Sequence, residues 1–431
     1  MPILQRQTAV PDTQGGSFSP ERNVVPETTE KPKSGEFQNE ARAREILDAH
    51  FGNYTAIVEN LKSEHILPES IDWVRKDLKR KMPEASFLEA SDYEMMFVLR
   101  LFHPETYEHS IRTCLTGREK ILSSHPIGEY LRTEITKEIK ENNPGETSDP
   151  LDIMYRSLLL HDMGKIAVPL FILNNTLTDD DWDALGIQNC HDHESDLCYS
   201  KRKKAEPNKR PKDLVPAIYG LKDDQRIALD QFIQNLPEGG KKYNRLSTLG
   251  EIISVHPAVS KAILENAGHR TAAQIVAEHH NSEISEDARQ YKVAGGTLLF
   301  AKLMAGIVHA ADFMDALLNA RSYKGAHGIF LTLNKLKEEA RKGAVPKELV
   351  QLWIDADIKR FQAEMDDAFN SATLSDDEKR RIGGPFNYYI SCLPEKQRST
   401  EREYMKKLLD EFRPRSESKS GEPPTIERRK N

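Results

Sequence analysis

The chain has 431 residues, 38% hydrophobic and 30% charged, enough for two or three packed units or one enlarged domain. Its formal charge of −7, from 61 basic and 68 acidic residues, argues against a general nucleic-acid binder; a phosphate-bearing ligand needs a local patch, and no direct DNA or RNA binding is expected. Four cysteines make no disulfide framework and suit a reducing cytoplasm, and the start MPILQRQTAV lacks a basic region followed by an apolar run.

Residues 1–36 are rich in Pro, Ser, Thr, Gln and charge and read as a disordered tail. From 37 to 100, Ile46, Leu47, Phe51, Ile57 and Leu61 are spaced for one apolar helical face, interrupted by Pro68 and Pro83. This predicts a small helical unit. The chemically dense stretch runs from 101 to 330. There Ser148 or Asp149 can cap a helix whose first turn takes Pro150. Met154, Leu158 and His161 follow at i, i+4 and i+7, Asp162 lies one turn beyond Leu158, and Pro169 stops any extension.

From 186 to 250 the character turns basic and polar, with Pro237, Gly239 and Gly240 marking loops, which predicts an insertion. Its CHDHESDLC stretch, Cys190 to Cys198, has zinc-ligand residue types but no second cysteine pair. That stretch and KRKK, Lys201 to Lys204, read as solvated loop. The most apolar segment, Thr297 to Leu318, carries Lys302, His309, Asp312 and Asp315, costly groups for a lipid-facing helix. A buried helix is expected, and no membrane span. Helical patterns resume from 331 to 413, as at Leu349, Leu352, Trp353 and Ile358, before a charged tail over 414–431. Runs of Ala, Leu, Glu, Lys and Arg dominate the middle of the chain, so the fold class expected is all-α.

Polar residues that interrupt apolar helices fall at Glu105 and His109, His161 and Asp162, His256, His279 and His280, and Asp312. Imidazole with carboxylate suits iron, manganese or zinc better than calcium or magnesium. Neighbours on a helix diverge by about 100°, so an adjacent His-Asp or His-His pair at a helix end can serve two ions, with an aspartate oxygen bridging them. Two ions about 3.5–4 Å apart can activate a water and hold phosphoryl oxygens through an in-line displacement.

Taken singly, His109 and His256 are ordinary, and Glu105 with His109 reads equally as an i,i+4 helix contact. His279 and His280 follow Ile275 and Val276 by four residues; Asp312 follows Val308 by one turn, where a carboxylate without a partner is costly. The strongest segment is LLLHDMGKIAVP, Leu158 to Pro169, where Gly164 loosens the backbone and Lys165 is suited to meet a phosphate as a point charge.

HDMGKIAVPLFILNNTLTDDDW, His161 to Trp182, resembles the HD superfamily of metal-dependent phosphohydrolases and, within it, the HD-GYP subfamily. The resemblance covers 101–330 without the insertion. HPETYEHS (His103 to Ser110), HPAVSKAIL (His256 to Leu264), EHHN (Glu278 to Asn281) and AADFMDALLNARSYKG (Ala310 to Gly325) resemble the other stations. It implies an HD-type helical bundle with helical N- and C-terminal extensions, two divalent ions, iron or manganese, and hydrolysis of a cyclic di-GMP phosphodiester. Carried over residue by residue, it makes His109, His161, Asp162, His256, His279, His280 and Asp312 metal ligands, with Glu105 a ligand for a third ion. Asp162 and Lys165 become catalytic residues, and Lys165, Arg321 and Lys324 contacts to substrate phosphates.

The chain departs from the subfamily after the double histidine: Asn281 and SEISEDARQY, Ser282 to Tyr291, stand in place of a Gly-Tyr-Pro loop. That leaves three readings: a cyclic dinucleotide phosphodiesterase, a phosphohydrolase of another nucleotide, or a signalling protein that binds without turnover. A protein partner or a dimer through the flanking helices is a further expectation.

Overall fold

The computed structural model describes residues 39–50, 53–83, 85–124, 126–168, 247–280, 297–319, 327–343, 345 and 347–411, with isolated positions between 173 and 234. The tails, nearly all of the insertion with CHDHESDLC and KRKK, and SEISEDARQY lie outside them, as do Phe51, Pro169, Asn281, Arg321 and Lys324. Among the described residues there are helices and no β-strand, so the fold is all-α. No helix among them is long and apolar enough to cross a membrane.

The described chain forms two compact units. The first spans 38–325 and begins with α1 (Glu40–Ala49), α2 (Tyr54–Ser63) and α3 (Leu67–Lys81). Pro68 opens α3 rather than interrupting it, because its missing N–H costs nothing in a first turn. α4 (Ala90–Phe102) starts with a reciprocal cap in which the Glu89 N–H donates to Asp92 Oδ2 at 2.7 Å. Met95 to Leu99 of α4 are fully enclosed. α4 packs against α1, α3 and the helices that follow, so residues 38–100 share one compact unit with the site instead of forming a unit of their own.

Next come α5 (Pro104–Leu122), α6 (Pro126–Asn142) and α7 (Pro150–Leu160). Asp149 caps α7, accepting from the N–H groups of Leu151 at 2.8 Å and Asp152 at 3.4 Å, with Pro150 in the first turn as expected. α5 crosses α7 at Gly117, where an added Cβ would strike the Leu158 side chain. α7 ends at Leu160 and gives way to a 3-10 turn over Met163–Ala167, well before Pro169, so that proline is not what stops the helix.

After the insertion come α8 (Leu249–Ile253), α9 (His256–Asn266), α10 (Arg270–Ala277) and α11 (Thr297–Leu318). α9 packs on α10 and on the 3-10 turn, and α11 packs on α5. As expected of a buried helix, Met304, Ala305, Ile307, Val308, Ala310 and Ala311 of α11 are enclosed.

The second unit holds α12 (Ile329–Lys342), α13 (Lys347–Ser371), α14 (Asp376–Ile382), α15 (Pro385–Cys392) and α16 (Glu395–Glu411). Its core is aromatic: Trp353, Phe330 and Phe361 are enclosed, and Phe361 meets Tyr389 edge-on with ring centroids 4.9 Å apart.

Candidate metal centre

Five segments of the first unit deliver side chains to one place. α5 contributes His109; α7 presents His161 just past its last turn and Asp162 next. His256 opens α9, His279 and His280 follow the end of α10, and Asp312 lies on α11. The ligand atoms of His109, His161 and Asp162 lie within 4.8 Å of one another, and so do those of His256, His279 and His280. His109, His161, Asp162, His256 and His279 are buried; His280 is half-exposed.

The imidazoles share one orientation device. Nδ1 of His161 lies 3.0 Å from the Leu158 carbonyl, Nδ1 of His256 lies 2.6 Å from that of Ile253, and Nδ1 of His279 lies 2.6 Å from that of Val276. Each partner is the carbonyl three residues back. A carbonyl only accepts, so Nδ1 carries the proton and Nε2 the lone pair. His109 reaches the same tautomer through a carboxylate: its Nδ1 donates to Asp315 Oδ2 at 2.6 Å.

Both aspartates span the two groups. Asp162 Oδ2 lies 3.4 Å from His109 Nε2 and 3.3 Å from His161 Nε2, while its Oδ1 lies 3.2 Å from His256 Nε2. Asp312 Oδ1 lies 2.8 Å from His109 Nε2 and 3.9 Å from His161 Nε2, and its Oδ2 lies 3.9 Å from His280 Nε2. Close as they are, Nε2 of His109, His161, His256 and His279 and Oδ1 of Asp162 are buried without hydrogen-bonding geometry to any partner. A buried polar atom left so costs about 1–3 kcal/mol. Five such atoms converging, four of them imidazole nitrogens, fit a metal cation. These buried His and Asp groups can hold metal.

For both carboxylates and for His279 and His280 the electrostatics agree. Burial resists ionisation of Asp162, but Lys165, His161 and His256 outweigh it and hold the carboxyl well below its usual range. Burial likewise resists ionisation of Asp312, and His109 outweighs it. Burial and neighbouring imidazoles push His279 and His280 down, so both are neutral at pH 7 and present lone pairs. His161 is raised instead: burial pushes it down, and Asp162 more than reverses that.

Lys165 lies in the 3-10 turn with its Nζ 2.5 Å from Asp162 Oδ2 and its side chain 15% exposed, paired with the bridging carboxylate while keeping an edge to solvent. Glu105 is exposed in the first turn of α5 and belongs to neither group. Gly164 does not act by loosening the backbone. A Cβ there would run into the His256 carbonyl and the Ser260 N, so glycine permits contact between the turn and α9.

Ser260, Asp315 and Arg112 were not singled out for the site by sequence. Ser260 Oγ accepts from the Gly164 N–H at 2.6 Å and donates to the His161 carbonyl at 2.8 Å. Asp315 takes Arg112 Nε at 2.8 Å besides His109. Their spacing was the available signal: Ser260 follows His256 by four residues, Arg112 follows His109 by three, and Asp315 follows Asp312 by three. No protein-family profile, curated protein or solved structure matches the chain.

Proposed function

We propose that this protein is a metal-dependent phosphohydrolase that cleaves a phosphodiester of a nucleotide, with a cyclic dinucleotide of the cyclic di-GMP type as the leading substrate class. The observation that carries the reading is Asp162, whose two oxygens face different histidine groups, at 3.3 Å from His161 Nε2 and 3.2 Å from His256 Nε2. His109, His161, Asp162 and Asp312 would hold one ion, and His256, His279 and His280 with the far oxygens of both aspartates a second. Two such ions, iron or manganese, would supply Lewis acidity and lower the pKa of a water for attack on phosphorus.

The chain's own residues do the rest. Carbonyls of Leu158, Ile253 and Val276 fix three imidazole tautomers, so these lone pairs are aimed in advance. Enclosure of His109, His161 and His279 keeps bulk water from one side of the site, which strengthens every charge interaction within it. Half-exposed His280 marks the open side, and the partly exposed edge of Lys165 lets its ammonium meet a phosphoryl oxygen as a point charge. The resemblance extends that role to Arg321 and Lys324.

The test is metal analysis of anaerobically purified protein, followed by product assays on mono-, di- and cyclic dinucleotides. Two ions per chain and linear product are expected, both lost when His161→Ala and Asp162→Ala are combined; full activity of that double variant would overturn the reading. The substituted Asn281–Tyr291 stretch favours a second reading, a nucleotide receptor that keeps its metals. Binding of cyclic di-GMP by the metal-loaded protein, with the ligand intact after hours, selects it.

A further inference from the structure

α11 carries three polar residues on one face, His309, Asp312 and Asp315, at i, i+3 and i+6 in a helix that is otherwise largely apolar. Steps of three keep them within about 120° of arc and about 9 Å of axis. The middle one reaches both histidine groups, and each flanking residue grips one group.

Asp315 is 3% exposed and saturated. Its Oδ2 accepts from His109 Nδ1 at 2.6 Å and Arg112 at 3.1 Å, and its Oδ1 from Arg112 Nε at 2.8 Å and Asn319 Nδ2 at 2.7 Å. A carboxylate so occupied is not available to a metal; what it does is lock the ring and tautomer of His109. On the opposite flank, His309 Nδ1 donates to the His279 carbonyl at 2.8 Å. The His309 ring stacks on Phe313, with an interplanar angle of 18° and centroids 6.0 Å apart, and stands perpendicular to His280 at 5.9 Å. It therefore braces the turn carrying both histidines of the second group.

We propose that His309 and Asp315 are positioning residues for two different ions: Asp315 orients His109 for the one, and His309 orients the His279–His280 turn for the other. This rests on the two-metal reading above. α11 would then set the distance between the two ion positions, since it supplies a bridging ligand and one orienting contact to each group.

Manganese titration of metal-free full-length protein, followed by calorimetry, tests it. The wild type should bind in two steps. Asp315→Asn should weaken by about 10- to 100-fold the step that His109→Ala abolishes. His309→Ala should weaken by a similar factor the step that His279→Ala abolishes. His309→Asn, whose amide can donate to the same carbonyl, should return that step to within about threefold of wild type, a rescue that a general packing role would not produce. Should Asp315→Asn not fold, Arg112→Gln, which loosens the same carboxylate from a partly exposed position, should weaken the same step by a smaller factor. Wild-type isotherms in the variants, or weakening of one common step by both, would overturn the proposal. Failure of the wild type to bind manganese at all would instead overturn the two-metal reading, and this proposal with it.

Discussion

The backbone N–H of Gly164 donates to Ser260 Oγ at 2.6 Å, and the same hydroxyl donates to the His161 carbonyl at 2.8 Å. One side chain thus fastens α9, which begins at His256, to the turn that carries His161 and Asp162. This contact helps hold His161 and Asp162 against His256.

Ser260→Ala should strand the Gly164 N–H and the His161 carbonyl at a cost of about 1–3 kcal/mol. Gly164→Ala should do more harm, because its Cβ meets backbone atoms of α9 that cannot turn aside. Urea denaturation with parallel metal analysis checks both. The expected order of stability is wild type, Ser260→Ala, Gly164→Ala, with metal content falling in the same order. A Gly164→Ala protein as stable and metal-rich as wild type would show that the close approach is dispensable.

The candidate metal-binding side chains stand out in the sequence because charged and imidazole groups interrupt apolar helices, as at His161 after Leu158 to Leu160. The all-α class was legible in the helix-favouring runs of Ala, Leu, Glu, Lys and Arg and in apolar spacing such as that of Ile46, Leu47, Ile57 and Leu61. What sequence could not supply was the partner of His109 Nδ1. Asp315 meets His109 across 206 positions of chain, a pairing set by how α11 packs on α5. Periodicity alone also could not distinguish His109 from Glu105: both lie on one helix a turn apart, yet one is enclosed and the other exposed.

A second clasp joins the first turn of α4 to the middle of α7 and the start of α10. Asp92 is fully enclosed and accepts from Arg156 Nε at 3.0 Å, with His269 Nε2 3.2 Å away at the start of α10. Arg156 also donates to the Phe87 carbonyl and to Glu89, both at 2.8 Å. Arg156→Ala should leave Asp92 buried without its cation, at a cost of about 3–5 kcal/mol. Guanidinium unfolding measures it. A loss below about 1 kcal/mol, the range of an exposed pair, would mean that water replaces the arginine there.

Acid should probe α3 separately. Asp77 accepts from Tyr107 Oη at 2.8 Å and Arg80 at 2.7 Å, and lies 2.9 Å from Lys81 Nζ. Burial favours its neutral form, but Lys81, Tyr107 and Arg80 outweigh burial and hold its pKa below the ordinary aspartate value. With the folded value depressed, the stabilisation is present above the unfolded pKa and is lost as pH falls through the folded one. Asp77→Asn should therefore lower Tm most at neutral pH, and the gap to wild type should close below about pH 4. A gap independent of pH between 7 and 3 would remove the charge from the explanation.

Within the second unit, one carboxylate anchors the start of α12. Glu401 on α16 is 1% exposed, and accepts from the Phe330 N–H at 2.7 Å, the Leu331 N–H at 3.0 Å and Tyr389 Oη at 2.9 Å. Two of these donors belong to a helix N-terminus, where backbone N–H groups have no partner within the helix and favour an anion. Glu401→Ala removes the acceptor from all three at about 1–3 kcal/mol per stranded donor, so a loss of about 3 kcal/mol or more is expected. Glu401→Gln keeps one oxygen and should fall between. Hydrogen exchange resolved by peptide checks the assignment: protection should drop across Ile329–Lys342 and Glu395–Glu411, while the segment around His161 exchanges as in wild type. Unchanged protection of Ile329–Lys342 in Glu401→Ala would mean that α12 is held by its apolar face, through Phe330, Leu333 and Leu336, without need of the cap.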